Sequence, residues 1–209
     1  MRDALTSAMV SDSLDAEGLR DQVMLREVEP LVLGNRLAAR AHPVQFVVSD
    51  IDPEDPYGDA IDFIDSLPIG AAAVIATSGD ARTAYWGELF SAAALGRGAA
   101  GTVCDGPIRD TPKVRALGYP VWAAGSRPID FRARMRITPG LDAVVCAGVT
   151  VARGDLVFAD DDGVVVVPAR AEHAVLDRAV SRATAEKTVL AELLAGSRLR
   201  DVWERWKVL

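Results

Sequence analysis

The chain has 209 residues, half of them apolar and a quarter charged, and a net charge of −7, which suits one large domain with a real core, or at most two small ones. The acidic balance argues against a general nucleic-acid binder, which would carry a basic face, though a local Arg can still hold an anionic substrate. Two cysteines without a CxxC pair and only two histidines disfavour a disulfide framework or a structural zinc site. The start lacks the apolar core of a signal peptide and no apolar run approaches the ~20 residues of a membrane span, so a cytoplasmic protein is expected.

In chain order, residues 5–16 read as a helix ending near Gly18, and 36–50 as a strand with branched apolar residues such as Val44, Val47 and Val48. Asp52 to Gly58 is a loop by its Pro, Gly and Asp content. Ile61 to Leu67 suggests a helix stopped by Pro68 and Gly70, and 72–77 a short buried strand. A small-residue helix begins near Gly87-Glu88 and ends at Gly96 to Gly98, with Leu89, Ala92 and Ala93 as its expected apolar face. Residues 101–104 read as a strand, 112–117 as a short helix opened by Pro112 and closed by Gly118, and 121–124 as another strand.

From 143 to 168 the pattern becomes Val-rich hairpins, with turns at Gly154-Asp155 and Asp160 to Gly163. A long helix follows from Ala171 to about Leu194, with Leu176, Val180, Ala183, Val189, Leu190 and Leu193 as its expected apolar face. The tail places Leu199, Val202, Trp203 and Trp206 at helical spacing, and two Trp are expected to dock on this or a neighbouring subunit. One domain over 1–209, with a helical tail over 171–209, is the simplest organisation.

The residues that carry chemistry cluster in the middle. Twenty residues separate Glu88, in Gly87-Glu88-Leu89-Phe90, from Arg109, which precedes Asp110. An Arg beside an Asp offers a cationic fork for a carboxylate next to a hard oxygen ligand for a divalent cation. The bland alternative is a surface ion pair, with Asp110 or Thr111 capping the helix that Pro112 opens. Both halves follow buried strands, and Gly87 and Gly106 let backbone approach a ligand closely.

Other candidates are weaker. Asp160-Asp161-Asp162-Gly163 lacks the alternating ligands of a calcium loop and reads as a hairpin turn. The Asp50 to Asp55 cluster reads as a solvated loop, with a lid role left open. His42 and His173 have no ligand partners at metal-binding spacing, and Cys104 reads as a small core residue. No nucleophile elbow, P-loop or Gly-x-Gly-x-x-Gly occurs.

The segment from Gly87 to Gly125 resembles the family of the regulator of ribonuclease E activity A and the class II 4-hydroxy-4-methyl-2-oxoglutarate aldolases. It carries Gly-Glu-Leu-Phe, Gly-Thr-Val-Cys-Asp-Gly-Pro-Ile-Arg-Asp and Arg-Ala-Leu-Gly-Tyr-Pro-Val-Trp-Ala. Val10 to Asp15, the Gly34 to Ala41 stretch, Gly154-Asp155 with Asp160 to Val167, and Trp206 to Leu209 are similar to it as well, so the likeness covers nearly the whole chain.

The resemblance implies an α/β fold, a layered β/β/α swivelling-type single domain with terminal helices, assembled as a homotrimer or hexamer with sites between subunits. It implies a lyase that binds Mg²⁺ or Mn²⁺ through Asp110. Arg109 would hold the carboxylate and ketone oxygen of a pyruvate-type substrate, and the amides of Leu89 and Phe90 the other carboxylate oxygen. Glu88, where the aldolases usually have Asp, would hold the water for proton transfer. The reaction implied is cleavage of a 4-hydroxy-2-oxo acid to pyruvate, with oxaloacetate decarboxylation as a side activity and neither nucleic acid nor membrane as partner. The alternative within the same resemblance is a non-catalytic regulator that inhibits a ribonuclease or another protein. A methyltransferase reading finds no glycine-rich cofactor loop.

Overall fold

The computed structural model describes residues 5–25 and 27–208. The elements in chain order are α1 (Ser7–Ala16), β1 (Glu29–Pro30), β2 (Leu37–Val48), α2 (Gly58–Asp65), β3 (Ala71–Ala76), α3 (Glu88–Gly96) and β4 (Gly101–Cys104). Then come α4 (Thr111–Leu117), β5 (Val121–Ala123), β6 (Met135–Thr138), β7 (Ala143–Cys146), β8 (Val149–Ala152), β9 (Leu156–Asp160), β10 (Gly163–Val167), α5 (Glu172–Leu194) and α6 (Leu199–Trp206).

One mixed sheet runs β1-β5-β4-β3-β2-β9-β10, and β6 also pairs with β2. The twelve-residue β2 is its hinge: Leu37 to Arg40 pair with β9, Arg40 to Gln45 run parallel to β3, and Gln45 to Val48 take β6. The strands β2, β3, β4 and β5 are mutually parallel, and every residue of β3, β4 and β5 is buried. Burial on both faces explains the apolar, small-residue sequence Ala71-Ala72-Ala73-Val74-Ile75-Ala76, which leaves room for layers above and below.

Those layers have separate cores. On one face, Ile64, Leu67, Ala94, Val114 and Tyr119 pack from α2, α3, α4 and nearby loops onto Ile75, Cys104 and Val121. On the other, Val144, Cys146, Val149 and Val151 of the β7–β8 hairpin cover Val74, Val103 and Trp122. A third cluster joins α1 and α5 to β9 and β10 through Val10, Leu14, Phe158, Val165, Val175 and Ala179. The result is the expected hairpin, sheet and helix layering of one α/β domain.

Two expected helix faces are corrected. In α3, Ser91 and Ala94 are buried whereas Leu89, Ala92 and Ala93 are exposed. Ser91 is tolerated inside because its hydroxyl accepts the Trp86 indole N–H at 2.8 Å. In α5 the buried stripe is Val175, Ala179, Ala183 and Val189, and Val180 and Leu190 face outward. In α3 a Ser and an Ala form the inner stripe, so ranking by hydrophobicity selects the wrong side, whereas in α5 the expected Ala183 and Val189 do lie on the buried stripe. Helix α2 begins at Gly58 and ends at Asp65, earlier than the expected 61–67.

Strand β6 had no sequence expectation. Its alternation, Met135 and Ile137 inward with Arg136 outward, is interleaved with the Arg132 to Arg136 charges. The acidic turn at 160–163 is a hairpin, with Asp160 paired to Gly163. The Asp160 carboxylate accepts Ser7 N–H at 2.7 Å and Asp162 N–H at 3.1 Å, and Asp161 accepts Gly34 N–H at 2.7 Å.

Helix α6 docks on α5 of the same chain. Val202 is buried, and Glu192 accepts Trp206 Nε1–H at 3.1 Å and pairs with Arg205 at 3.0 Å. No helix among the described residues is long and apolar enough to cross a membrane.

Candidate active site

Three loops leave the C-terminal ends of the parallel strands β3, β4 and β5, the edge where open α/β sheets place ligands. Backbone hydrogen bonds fuse them into one platform. Tyr85 N–H donates to Pro107 O at 2.9 Å, Arg109 N–H to Trp86 O at 2.9 Å, Ile108 N–H to Gly125 O at 3.1 Å, and Ala84 N–H to Ile129 O at 2.7 Å. Beneath them the buried Asp105 carboxylate accepts Thr77 N–H at 2.5 Å, Thr77 Oγ1–H at 2.8 Å and Ala147 N–H at 3.1 Å. Asp105 therefore ties two of the loops to the hairpin layer and is saturated by that task.

Gly106 is demanded by close approach. A Cβ there would stand 2.6 Å from the Tyr85 ring and 2.9 Å from Thr77 Cγ2. Gly87 is nearly as constrained, since its Cβ would lie 3.1 Å from both Arg109 Cγ and Asp110 Oδ2. The backbone of Gly87 is thus pressed against the Arg109-Asp110 pair, which is how a spacing of twenty residues becomes a contact.

A cleft of about 430 Å³ opens here, and Gly87, Glu88, Leu89, Phe90, Arg109 and Asp110 all line it. Helix α3 starts at its edge. The first in-helix amide bond is Ser91 N–H to Gly87 O at 3.0 Å, so the amides of Leu89 and Phe90 lie in the first turn, where no intrahelical acceptor exists. Such amides, with the positive end of the helix dipole, favour an anion.

Asp110 sits at the N-cap of α4 in the left-handed region, φ 57° and ψ 29°, and its carboxylate makes no capping hydrogen bond. The bland capping role is therefore not what holds it. A non-glycine residue in that region carries about 1 kcal/mol or more of strain. The only ion pair on its carboxylate among the described residues is Arg109 Nε at 3.7 Å.

Arg109 is fixed by a residue that the sequence reading passed over. Its Nη1 donates to Asp130 Oδ2 at 2.8 Å. The same oxygen accepts the Tyr57 hydroxyl at 2.9 Å, while Oδ1 accepts Arg132 N–H at 3.0 Å. Burial alone would raise the Asp130 carboxyl, but the Arg132 amide, the Tyr57 hydroxyl and the Arg109 guanidinium outweigh it and hold it below its ordinary value. Burial and the Asp130 carboxylate push the Tyr57 phenol up, so Tyr57 stays a donor. Asp130 lies in the loop after β5, bridged to Ala84, and nothing in Pro128-Ile129-Asp130-Phe131 marks it by motif.

Glu88 has a partner too. Lys113, one turn into α4, donates to Glu88 Oε2 at 2.8 Å, and that hydrogen bond and charge raise the Lys113 pKa. The extra methylene of Glu over Asp supplies reach for this contact, which uses one of the two carboxylate oxygens.

The remaining candidates have structural tasks. Asp52 is held by Arg132 through two bonds of 2.9 Å, and the 50–56 loop leads directly into Tyr57 at the cleft. His42 packs under Arg153 with Ser66 Oγ at 3.2 Å, and His173 is exposed beside Asp177. Cys104 and Cys146 are buried, and burial raises both thiols well above their ordinary value. A larger cleft of about 920 Å³ runs along the β7–β8 hairpin, but its Asp105 is saturated and its Gln45 donates to Phe46 O and Ala76 O.

No group of three His, Cys, Asp or Glu side chains able to hold a metal occurs among the described residues. Mg²⁺ in general takes one or two carboxylates and completes its octahedron with waters and substrate oxygens. The Asp110 carboxylate, which caps no helix amide, is an oxygen donor at this cleft.

The family model described as RraA-like, Aldolase/RraA, matches residues 7–166. A Halalkalibacterium halodurans protein with the provisional name 4-hydroxy-4-methyl-2-oxoglutarate aldolase is 30% identical over 178 residues, covering 84% of this chain and 78% of that protein. Legionella pneumophila protein DlpA is 28% identical over 198 residues, 95% of this chain, and this chain spans only 32% of DlpA's length. The crystal structure of Streptomyces coelicolor RraAS2, described as an unusual member of the RNase ES inhibitor RraA protein family, superposes with a TM-score of 0.83 at 30% identity, covering 90% of this chain and 93% of that one.

Proposed function

The chain belongs to the RraA-like family, and from that premise we propose that it is a divalent-metal-dependent aldolase cleaving a 4-hydroxy-2-oxo acid to pyruvate and a second carbonyl product. The observation that carries this reading is the meeting, in one cleft, of the uncapped Asp110 carboxylate, the Arg109 guanidinium and the free amides that open α3. Those are the groups that a 2-oxo carboxylate and its cation require.

Asp110 would hold Mg²⁺ or Mn²⁺, which when bound acts as a Lewis acid on the 2-oxo carboxylate. Arg109, aimed by Asp130, binds the carboxylate and the ketone oxygen and stabilises the charge that grows there as the C3–C4 bond breaks. The Leu89 and Phe90 amides take the other carboxylate oxygen. Overall, one proton moves from the C4 hydroxyl to C3. Glu88, braced by Lys113, holds the water that serves this transfer. The same enolate chemistry makes oxaloacetate decarboxylation a side activity.

The exposed apolar face of α3, with Leu89, Ala92, Ala93 and Leu95, supports assembly into a homotrimer or hexamer with the cleft near a subunit boundary. The likeness to RraAS2 supports a second reading, a regulator that binds a ribonuclease or another protein. A coupled pyruvate-release assay separates the two. Turnover of a 4-hydroxy-2-oxo acid that stops with chelator supports the aldolase, and absence of turnover on every 2-oxo acid sinks it.

A further inference from the structure

Glu88 stands in the first turn of α3 and Lys113 in the first turn of α4. The Asp110 carbonyl accepts the Lys113 amide at 2.9 Å and the Val114 amide at 3.0 Å, so Lys113 rises from the turn that Asp110 opens. From there its Nζ donates to Glu88 Oε2 at 2.8 Å. Among the described residues, Lys113 is the only group bonded to the Glu88 carboxylate. The hydrogen bond to Glu88, its charge and the charge of Asp110 raise the Lys113 pKa, so Lys113 is an ammonium donor at neutral pH.

A Glu side chain turns about three bonds, and one without a partner spreads over several rotamers. The first-turn amides of Leu89 and Phe90 lie close by along the chain, and such amides attract a carboxylate. The Glu88 carboxylate bonds Lys113 across the gap between the helices instead. Lys113 does not itself line the cleft, whereas Glu88 does. The contact lies within one chain, so each subunit sets its own Glu88.

Resting on the aldolase reading above, we propose that Lys113 is a positioning residue, which holds the Glu88 carboxylate in the orientation from which Glu88 keeps the water for proton transfer. It acts through Glu88 and touches neither substrate nor cation. Its loss therefore falls on kcat and leaves KM in place, because Arg109, Asp110 and the α3 amides hold the substrate and the cation without it.

The test uses the full chain with saturating Mg²⁺. Pyruvate release from a 4-hydroxy-2-oxo acid gives kcat and KM. NMR in D₂O follows exchange at the pyruvate methyl, where a C3 proton leaves and a solvent deuteron takes its place. The side chains are 66% and 32% exposed, so Lys113→Met should lower kcat and the exchange rate about three- to fivefold, with KM unchanged within about twofold. Lys113→Arg, which keeps a donor, should retain at least about half the wild-type rates. In a Glu88→Ala background, Lys113→Met should change neither rate. Unchanged rates in Lys113→Met, a loss that Arg does not restore, or an equal loss in the Glu88→Ala background overturns the proposal. Crystal structures of the wild type and Lys113→Met give a readout without turnover. The Glu88 carboxylate should leave its wild-type position in the variant, and one shared position in both overturns the proposal. If the wild type neither releases pyruvate nor exchanges its protons, the aldolase reading falls, and the crystal comparison alone decides whether Lys113 places Glu88.

Discussion

Asp130→Asn isolates the device that aims Arg109. The substitution keeps the side-chain volume but removes the charge that accepts Arg109 Nη1–H at 2.8 Å and the Tyr57 hydroxyl at 2.9 Å. A hydrogen bond to a charged group contributes about 1.5–3 kcal/mol net. The two side chains are 38% and 25% exposed, so solvent screening brings the figure to about 1–2 kcal/mol. If Arg109 loses that much of its orientation, kcat/KM for pyruvate release falls roughly 5- to 30-fold. The assay is steady-state pyruvate release coupled to lactate dehydrogenase, with thermal unfolding run beside it to show that the variant is folded. Tyr57→Phe, which removes one of three donors to Asp130, should fall less. A folded Asp130→Asn variant with kcat/KM within twofold of wild type would refute the reasoning, because Arg109 would then hold its place without Asp130.

Four other outcomes are expected. Gly87→Ala pushes a methyl to 3.1 Å from both Arg109 Cγ and Asp110 Oδ2; kcat/KM should drop about tenfold with little change in Tm, because the displaced atoms belong to the site and not the core. Gly106→Ala meets the buried Tyr85 ring at 2.6 Å, so overpacking should destabilise the fold by about 1–3 kcal/mol, read by denaturant unfolding. The Asp130 carboxyl is held below its ordinary 3.8. Its contribution is therefore complete above that value and lost only as pH falls further, and kcat/KM should show no acid limb between about pH 4.5 and 6 that disappears in Asp130→Asn. Burial, then the Arg153 charge, lowers the His42 pKa below 6.5. The unfolded chain takes that proton first as pH falls, so stability present above about 6.5 declines below it, and the fall in Tm between about pH 7 and 5 should shrink in His42→Gln.

Much of the fold was legible because each element carries local punctuation. Helix α1 ends before Gly18, α4 opens at Thr111-Pro112 and closes on Gly118, and the β9–β10 hairpin turns at Asp160 to Gly163. The expected turn at Gly154-Asp155, by contrast, joins β8 to β9, which do not pair, and the β7–β8 hairpin turns at Ala147-Gly148 instead. The inner face of α3 was not legible, and that of α5 only in part, through Ala183 and Val189. Ser91 is buried by a partner, the Trp86 indole, that only the tertiary structure brings near, and Leu89 is exposed at the cleft rim. Strand β6 was hidden because its four residues alternate too briefly between arginines to register as a strand.

The candidate site divides the same way. The cluster from Gly87 to Phe90 and the Arg109-Asp110 pair stand out as short patterns, and the structure brings them to one cleft. The residues that brace them, Asp130, Tyr57 and Lys113, sit in unremarkable surroundings. They act through contacts spanning 21, 73 and 25 positions in the chain, which no local pattern encodes.

The most direct measurement is pyruvate release from a 4-hydroxy-2-oxo acid by the wild-type chain and by Asp110→Ala, each with Mg²⁺ and with chelator. The account predicts turnover in the wild type that chelator abolishes, and a loss of at least about a thousandfold in Asp110→Ala with the fold intact. Full metal-dependent turnover in Asp110→Ala, or turnover indifferent to chelator in the wild type, would contradict it.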